Sequence, residues 1–234
     1  MPRLPFLGTC LALGLAVPAS LPAQAVFQGS ITYRMTLEGM SVSMTMASKG
    51  AWTRTDMELP GMPGQMFVLM NTDSMVARTV MLEMGMYVEM DLKTMMGAAE
   101  ELIPQSTRDS LAAQMANASF ESLGTSDEIA GHTCRNYRFR TGSEEMESCI
   151  ATGLGSMGTQ MGSNSPMAGL MPGMPDMAAY LKEFPDGFLA LRVRLLKNGT
   201  WEPLMEATKI DRTIPGDELF KLPPGLTRMD PPSR

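Results

Sequence analysis

The sequence predicts a mainly β protein with a few short α-helices, built as a curled antiparallel sheet, or half-barrel, with the helices over its concave face. Three observations point there. Runs of alternating apolar and polar residues recur about every ten positions with turn residues between them, the rhythm of an antiparallel meander. The runs number about ten or eleven, and a sheet of that size curls because flat open sheets so large are rare. Helical segments interrupt the strands, and helices laid over a curled sheet enclose a cavity.

The first run, FQGSITYRMTL from Phe27, sets Ile31, Tyr33, Met35 and Leu37 on one face and Thr32, Arg34 and Thr36 on the other. After a turn at Glu38-Gly39, Val42, Met44 and Met46 alternate with Ser41, Ser43 and Thr45. Lys49-Gly50 turns the chain into AWTRTDMEL. The stretch GMPG at 61–64 is a loop, QMFVLMN a strand, and Asn71-Thr72-Asp73-Ser74 a tight turn. MVARTVML and MYVEMD are two further strands separated near Gly85. In strands i and i+2 share a face, which groups Met44 with Met46, Met84 with Met86, and Met66 and Met70 with Val68.

DLKTMMGAAEEL has helix-forming composition and is broken by Pro104; Ser106 with Asp109 resembles a capping box opening TRDSLAAQMA. β signals return in FESLGTSDEIAGHTCRNYRFR, whose segment from Cys134 to Arg140 pairs with Glu144 to Ile150. A two-residue turn at Thr141-Gly142 pairs residues whose numbers sum to 283, which sets Cys134 directly opposite Cys149. Residues 152–177 are Gly, Met, Ser and Pro with one charge, Asp176, and read as a flexible loop. MAAYLKEF is a short helix ending before Pro185. Asn198-Gly199 between FLALRVRLLK and TWEPLMEATKIDRT is a strong hairpin signal. The proline-rich tail after Phe220 is expected to run along the surface.

Residues 1–25 read as a signal peptide: Arg3 is the only charge before residue 34, an apolar run from Leu4 to Val17 follows, and Ala23-Gln24-Ala25 places cleavage between Ala25 and Val26. That leaves one β-rich domain over 26–228 and a tail at 229–234. The mature net charge is −7, the formal −6 less the +1 of Arg3, and an acidic exported chain lacks the basic surface that nucleic acid needs. The expected location is periplasmic or secreted, with peripheral association to the cell envelope compatible with it, and the expected state is a monomer. Cys134 and Cys149 remain after cleavage, and an exported pair suggests a disulfide.

His132 is the single histidine, so His-cluster metal sites are excluded and a Ser-His-Asp triad would rest on this one residue. The acid pairs Glu100-Glu101 and Glu144-Glu145 are sequence neighbours, unlike carboxylates facing across a glycosidase cleft. Gly153-x-Gly155 lacks the strand-turn-helix context of a dinucleotide site. Arg54, Arg78, Arg138, Arg192 and Arg194 fall on the polar phase of strands and are expected to be solvated, apart from one that greets an acidic head group at a cavity mouth. No cofactor is implied and no enzyme constellation is present.

The 26 methionines carry the functional reading. Met specifies a core poorly because it is flexible, yet it suits a wall that accommodates varied greasy guests. The candidate cavity lining is Met35, Met44, Met46, Val68, Met70, Met84, Met86 and Val88, and the partner a hydrophobic or acyl-chain ligand. The alternative is a Met-rich Cu(I)-handling protein, since thioethers are soft ligands that select Cu(I), with Met171, Met174 and Met177 at suitable spacing.

Several motifs together resemble the bacterial exported family called domain of unknown function 4412. They are Phe27-Gln28-Gly29-x-Ile31-x-Tyr33, Lys49-Gly50-x-x-x-Arg54, Tyr87-x-x-Met90, Ile129-Ala130-Gly131-His132-x-Cys134-x-x-Tyr137 and the closing Phe220-x-x-Pro223-x-Gly225. Cys149, where an aromatic residue is expected, and the long Met-rich 152–177 loop depart from it. The family is similar to the periplasmic lipoprotein-carrier fold, so the resemblance implies a curled sheet that binds acyl chains.

Overall fold

The computed structural model describes residues 26–37, 39–58, 66–142, 144–157, 184 and 187–229. The leader with its cleavage point at Ala25, most of the 152–177 loop with Met171, Met174 and Met177, and all of the short helix at 177–184 but Phe184 lie outside these residues. Among these described residues, twelve strands form a single sheet. They are β1 Gly29–Leu37, β2 Met40–Lys49, β3 Trp52–Glu58, β4 Met66–Asn71, β5 Val76–Met81, β6 Met86–Asp91, β7 Ser119–Ile129, β8 His132–Thr141, β9 Glu144–Thr152, β10 Phe188–Lys197, β11 Thr200–Asp211 and β12 Thr227–Met229. Two helices, α1 Leu92–Leu102 and α2 Gln105–Ala116, link β6 to β7. The spatial order is β12-β6-β5-β4-β3-β2-β1-β11-β10-β9-β8-β7.

The meander follows from the turns read in the sequence. Asn198 and Gly199 both have positive φ, 51° and 78°, the backbone a two-residue hairpin needs, and Lys197 stands opposite Thr200. Asn71 stabilises its turn by accepting the Ser74 N–H at 2.8 Å. Asp91 caps α1 by accepting the Thr94 N–H at 3.0 Å. The capping box at Ser106 does not form. α2 already begins at Gln105, whose side-chain amide donates to Asp109 at 2.9 Å, so that carboxylate is engaged within the helix.

The β8–β9 hairpin corrects a register. Thr141 stands opposite Glu144 and Asn136 opposite Cys149, so paired numbers sum to 285 rather than 283. The cysteines are therefore diagonal neighbours, and they are bridged, with Cα atoms 5.3 Å apart, inside the range a disulfide requires. The tail differs too. Instead of only crossing the surface, it lays Leu222 and Leu226 against the buried Phe67, Leu69 and Val80 and adds β12 to β6 as a parallel pair.

Bulges locate the curl. Register shifts occur in the β1–β11, β10–β11, β9–β10 and β7–β8 pairs, whereas the β1–β2 pair and the pairs among β2, β3, β4, β5 and β6 run without one. Bulges bend a strand and increase its twist. Four strand spacings separate β7 from β11, about 19 Å in a flat sheet, yet Cα atoms of the two strands come within 8 Å. Arg192 on β10 accordingly reaches across to Asp127 on β7. One face is thus concave, and it holds the main core, in which Phe27, Ile31, Tyr33, Ile129, Cys134, Cys149, Leu189, Leu191 and Ala207 pack together.

Tyr33 links that core to the sheet, its hydroxyl donating to the Ala190 carbonyl at 3.2 Å. Burial pushes its phenol up from 10.0 to about 12. The unfolded chain therefore ionises first, and Tyr33's contribution, complete below pH 10, is lost as pH rises towards 12. Tyr33→Phe should cost about 1 kcal/mol near neutral pH and flatten the alkaline loss, as read by urea unfolding at neutral and at about pH 11. A wild-type protein no more sensitive than the variant would contradict this.

Candidate functional site

The unbulged half of the sheet aligns side chains in rows. Directly opposite residues share a face, so the register defines three rows across β2 to β6. One is Met44, Met57, Met66, Met81 and Met86; the next is Met46, Thr55, Val68, Thr79 and Val88; the third is Ser48, Thr53, Met70, Ala77 and Met90. Tyr33 opposite Met44 and Met35 opposite Val42 continue this face into the concave core. Met35, Met44 and Met46 are themselves packed against that core.

No ionisable side chain of β2 to β6 lies on this face. Lys49, Arg54, Asp56, Glu58, Arg78, Glu89 and Asp91 all fall on the opposite one, as the same register requires. On the opposite face Phe67, Leu69 and Val80 are sealed under the C-terminal segment. Arg54 clamps that seal: its guanidinium lies 3.7 Å from the Phe67 ring centroid and donates to the Leu219 carbonyl at 3.2 Å. The methionine face is different. Met44, Met46, Met57, Met66, Met70, Met81, Met86 and Met90 are all only half-buried. α1 continues directly from β6.

Of the residues singled out from the sequence, Met35, Met44, Met46, Val68, Met70, Met86 and Val88 share this face. Met84 does not: it sits in the turn between β5 and β6 and is 66% exposed. Met57, Met66, Met81 and Met90 belong to the face and complete it. The sequence already groups Met66 with Val68 and Met70, and parity within each strand also finds Met57, in phase with Thr55, Met81, in phase with Thr79, and Met90, in phase with Val88.

The five arginines are partly exposed, and each is held in an ion pair. Arg54 pairs with Asp56, Arg78 with Glu89, Arg138 with Glu145, Arg192 with Asp127 and Arg194 with the buried Glu147. Hydrogen bonds from Arg192 and then Asn136 hold the Asp127 carboxyl below the usual carboxylate range. The pairs of Arg78, Arg138, Arg192 and Arg194 join different strands, whereas Arg54 and Asp56 are two residues apart on β3. A separate depression of about 460 Å³, lined by Tyr33, Arg34, Ser41, Val42, Ser43, Glu58 and Thr208, lies beside β1 and β2. Its charged lining, Arg34 and Glu58, stands on the face opposite the methionine rows.

The profile of a family described as Domain of unknown function (DUF4412) matches residues 27–226. No curated protein matches the sequence significantly. Among solved structures, an uncharacterized conserved protein from Thermus thermophilus is similar with a TM-score of 0.50 and 10% identity, over 86% of this chain and 89% of that one. PNGF-II is similar with a TM-score of 0.41 and 13% identity, over 86% of this chain and 30% of that one. A chain of the Pseudomonas aeruginosa MucA/MucB complex has a TM-score of 0.42 and 11% identity, over 87% and 58%. At such identities the Thermus likeness concerns the fold alone, and fold does not set function.

Proposed function

The chain belongs to the family described as Domain of unknown function (DUF4412), and on that premise we propose that it is an exported, non-enzymatic protein whose methionine face binds a lipid-like or other hydrophobic guest. One observation carries the reading: five adjacent strands put every charge on one side and leave an uncharged, half-buried, Met-rich wall on the other. Each square ångström of apolar wall that a guest covers is worth about 25 cal/mol. Flexible thioether chains can repack around guests of different shape.

Export is supported by the leader-like residues 1–25 and by the Cys134–Cys149 bridge, which suits an oxidising compartment. A non-enzymatic role is supported by the position of the carboxylates of β2 to β6, on the face away from the wall. A monomer in peripheral contact with the envelope is the arrangement in which such a wall would exchange an acyl chain.

Met44→Asp or Met86→Asp should abolish uptake of a fluorescent fatty-acid probe. A carboxylate buried in an apolar wall costs several kcal/mol, so circular dichroism must show that the variants fold. Met86→Ile, which keeps the wall apolar, should retain uptake. A folded wild type that takes up no hydrophobic probe would refute the proposal.

A further inference from the structure

The row Met44, Met57, Met66, Met81 and Met86 places one residue type at directly opposing positions on five consecutive strands. We propose that its outer part, Met57, Met66, Met81 and Met86, is a site for the soft monovalent cation Cu(I), held by thioether sulfurs alone. This goes beyond guest binding and does not depend on it.

The geometry favours convergence of sulfurs. Directly opposite residues have Cβ atoms about 4.5 to 5.5 Å apart, and the Met sulfur lies two bonds further along an unbranched chain. Two facing side chains can therefore bring their sulfurs onto one ion, with further methionines next to them in the row. The register from β3 to β6 has no bulge to break the row. In the other two rows sulfurs do not adjoin: the second contains only Met46, and in the third Ala77 separates Met70 from Met90. A wall that needed only to be apolar would be better served by β-branched residues, which fit a pleated surface and hold fixed rotamers.

The chemistry selects the ion. Thioethers are soft and uncharged, so they favour Cu(I) over hard divalent cations. The face carries no Lys or Arg to repel a cation. Half-burial leaves these side chains partly open to solvent. Among the described residues, Cys and His lie elsewhere: Cys134 and Cys149 are joined in their disulfide, and His132 begins β8, in the other half of the sheet. Among the described residues no cluster of His, Cys, Asp or Glu offers an alternative metal site.

Thioethers do not take up protons in the working range, so this site should be indifferent to pH, unlike sites built on imidazole or thiolate. The test is anaerobic titration of the full mature chain with Cu(I) against a chromophoric chelator at about pH 5 and pH 7.5, with Ag(I) native mass spectrometry for stoichiometry. One ion per chain is expected, with equal affinity at both pH values. Met66→Leu/Met81→Leu should weaken binding by roughly tenfold or more by removing soft donors, while Met70→Leu/Met90→Leu should leave it intact. No binding by folded wild type, binding that survives the row variant, or affinity that falls with acid would each overturn the site. Both Leu variants keep an apolar wall, so fatty-acid uptake measured without metal reports on guest binding separately.

Discussion

Gly29→Ala is expected to destabilise the protein by roughly 3 kcal/mol or more, lowering the melting temperature by about 6 to 12 °C for a chain of this size. Gly29 opens β1 with φ +137°, a backbone that side-chain-bearing residues avoid. A Cβ placed there would lie 2.2 Å from the carbonyl oxygen of Asp211. That oxygen is backbone, and Asp211 is held by pairing with Ser30 in the β1–β11 ladder, so it cannot swing away as a side-chain tip would. Relief by moving β1 is also blocked, because Phe27 and Ile31 on either side are fully buried. Gly39→Ala is the matched control: its φ is also positive, at +80°, but a Cβ there meets nothing within 4 Å. Its cost should stay near 1 kcal/mol. Thermal melts of the two variants side by side decide the matter, and equal shifts would show that the contact with Asp211 is relieved at no cost.

Removing the disulfide should have an effect of similar size. Cys134→Ala/Cys149→Ala deletes a bridge that closes a 15-residue separation, for which chain entropy gives about 3 kcal/mol. Both half-cystines are buried in the main core beside Ile129, Ala151 and Leu191, so the loss of packing adds to the entropic term. The bridge fastens β8 to β9 in the bulged half of the sheet, and β9 runs directly toward the segment after Thr152. Urea unfolding of the double variant, compared with oxidised wild type, should show a lower midpoint. An unchanged midpoint would mean that Arg192–Asp127 and the other ion pairs hold the curl without it.

Much of the fold is legible in the sequence because its causes are short-range. The β1 to β6 meander follows from alternation and turn residues, and the last hairpin from Asn198-Gly199, whose two positive φ values few other residue pairs supply. Parity along each strand is legible as well, and it groups Met44, Met46, Val68, Met70, Met86 and Val88 on one face. Met84 escapes that logic because parity fails as soon as the chain enters a turn. The register at Thr141 has a similar cause: both Thr141-Gly142 and Gly142-Ser143 suit a turn, and the choice between them shifts every pair in β8–β9. For the arginines, a polar phase shows only that a residue faces away from apolar neighbours. Whether a carboxylate waits on the adjacent strand depends on register.

The mainly β character, the strand parity, the closing hairpin and the pairing of the two cysteines are thus consequences of neighbours near in the chain, and local sequence suffices for them. Which side of the sheet stays open is a matter of tertiary packing. Leu222 and Leu226 seal Phe67, Leu69 and Val80 from far along the chain, β12 completes the edge beside β6, and bulges bring β7 back towards β11. The same packing brings Met57, Met66, Met81 and Met86 into one row. Alignment across strands is set by where each hairpin closes and by which segment buries the opposite face, and local propensity contains neither.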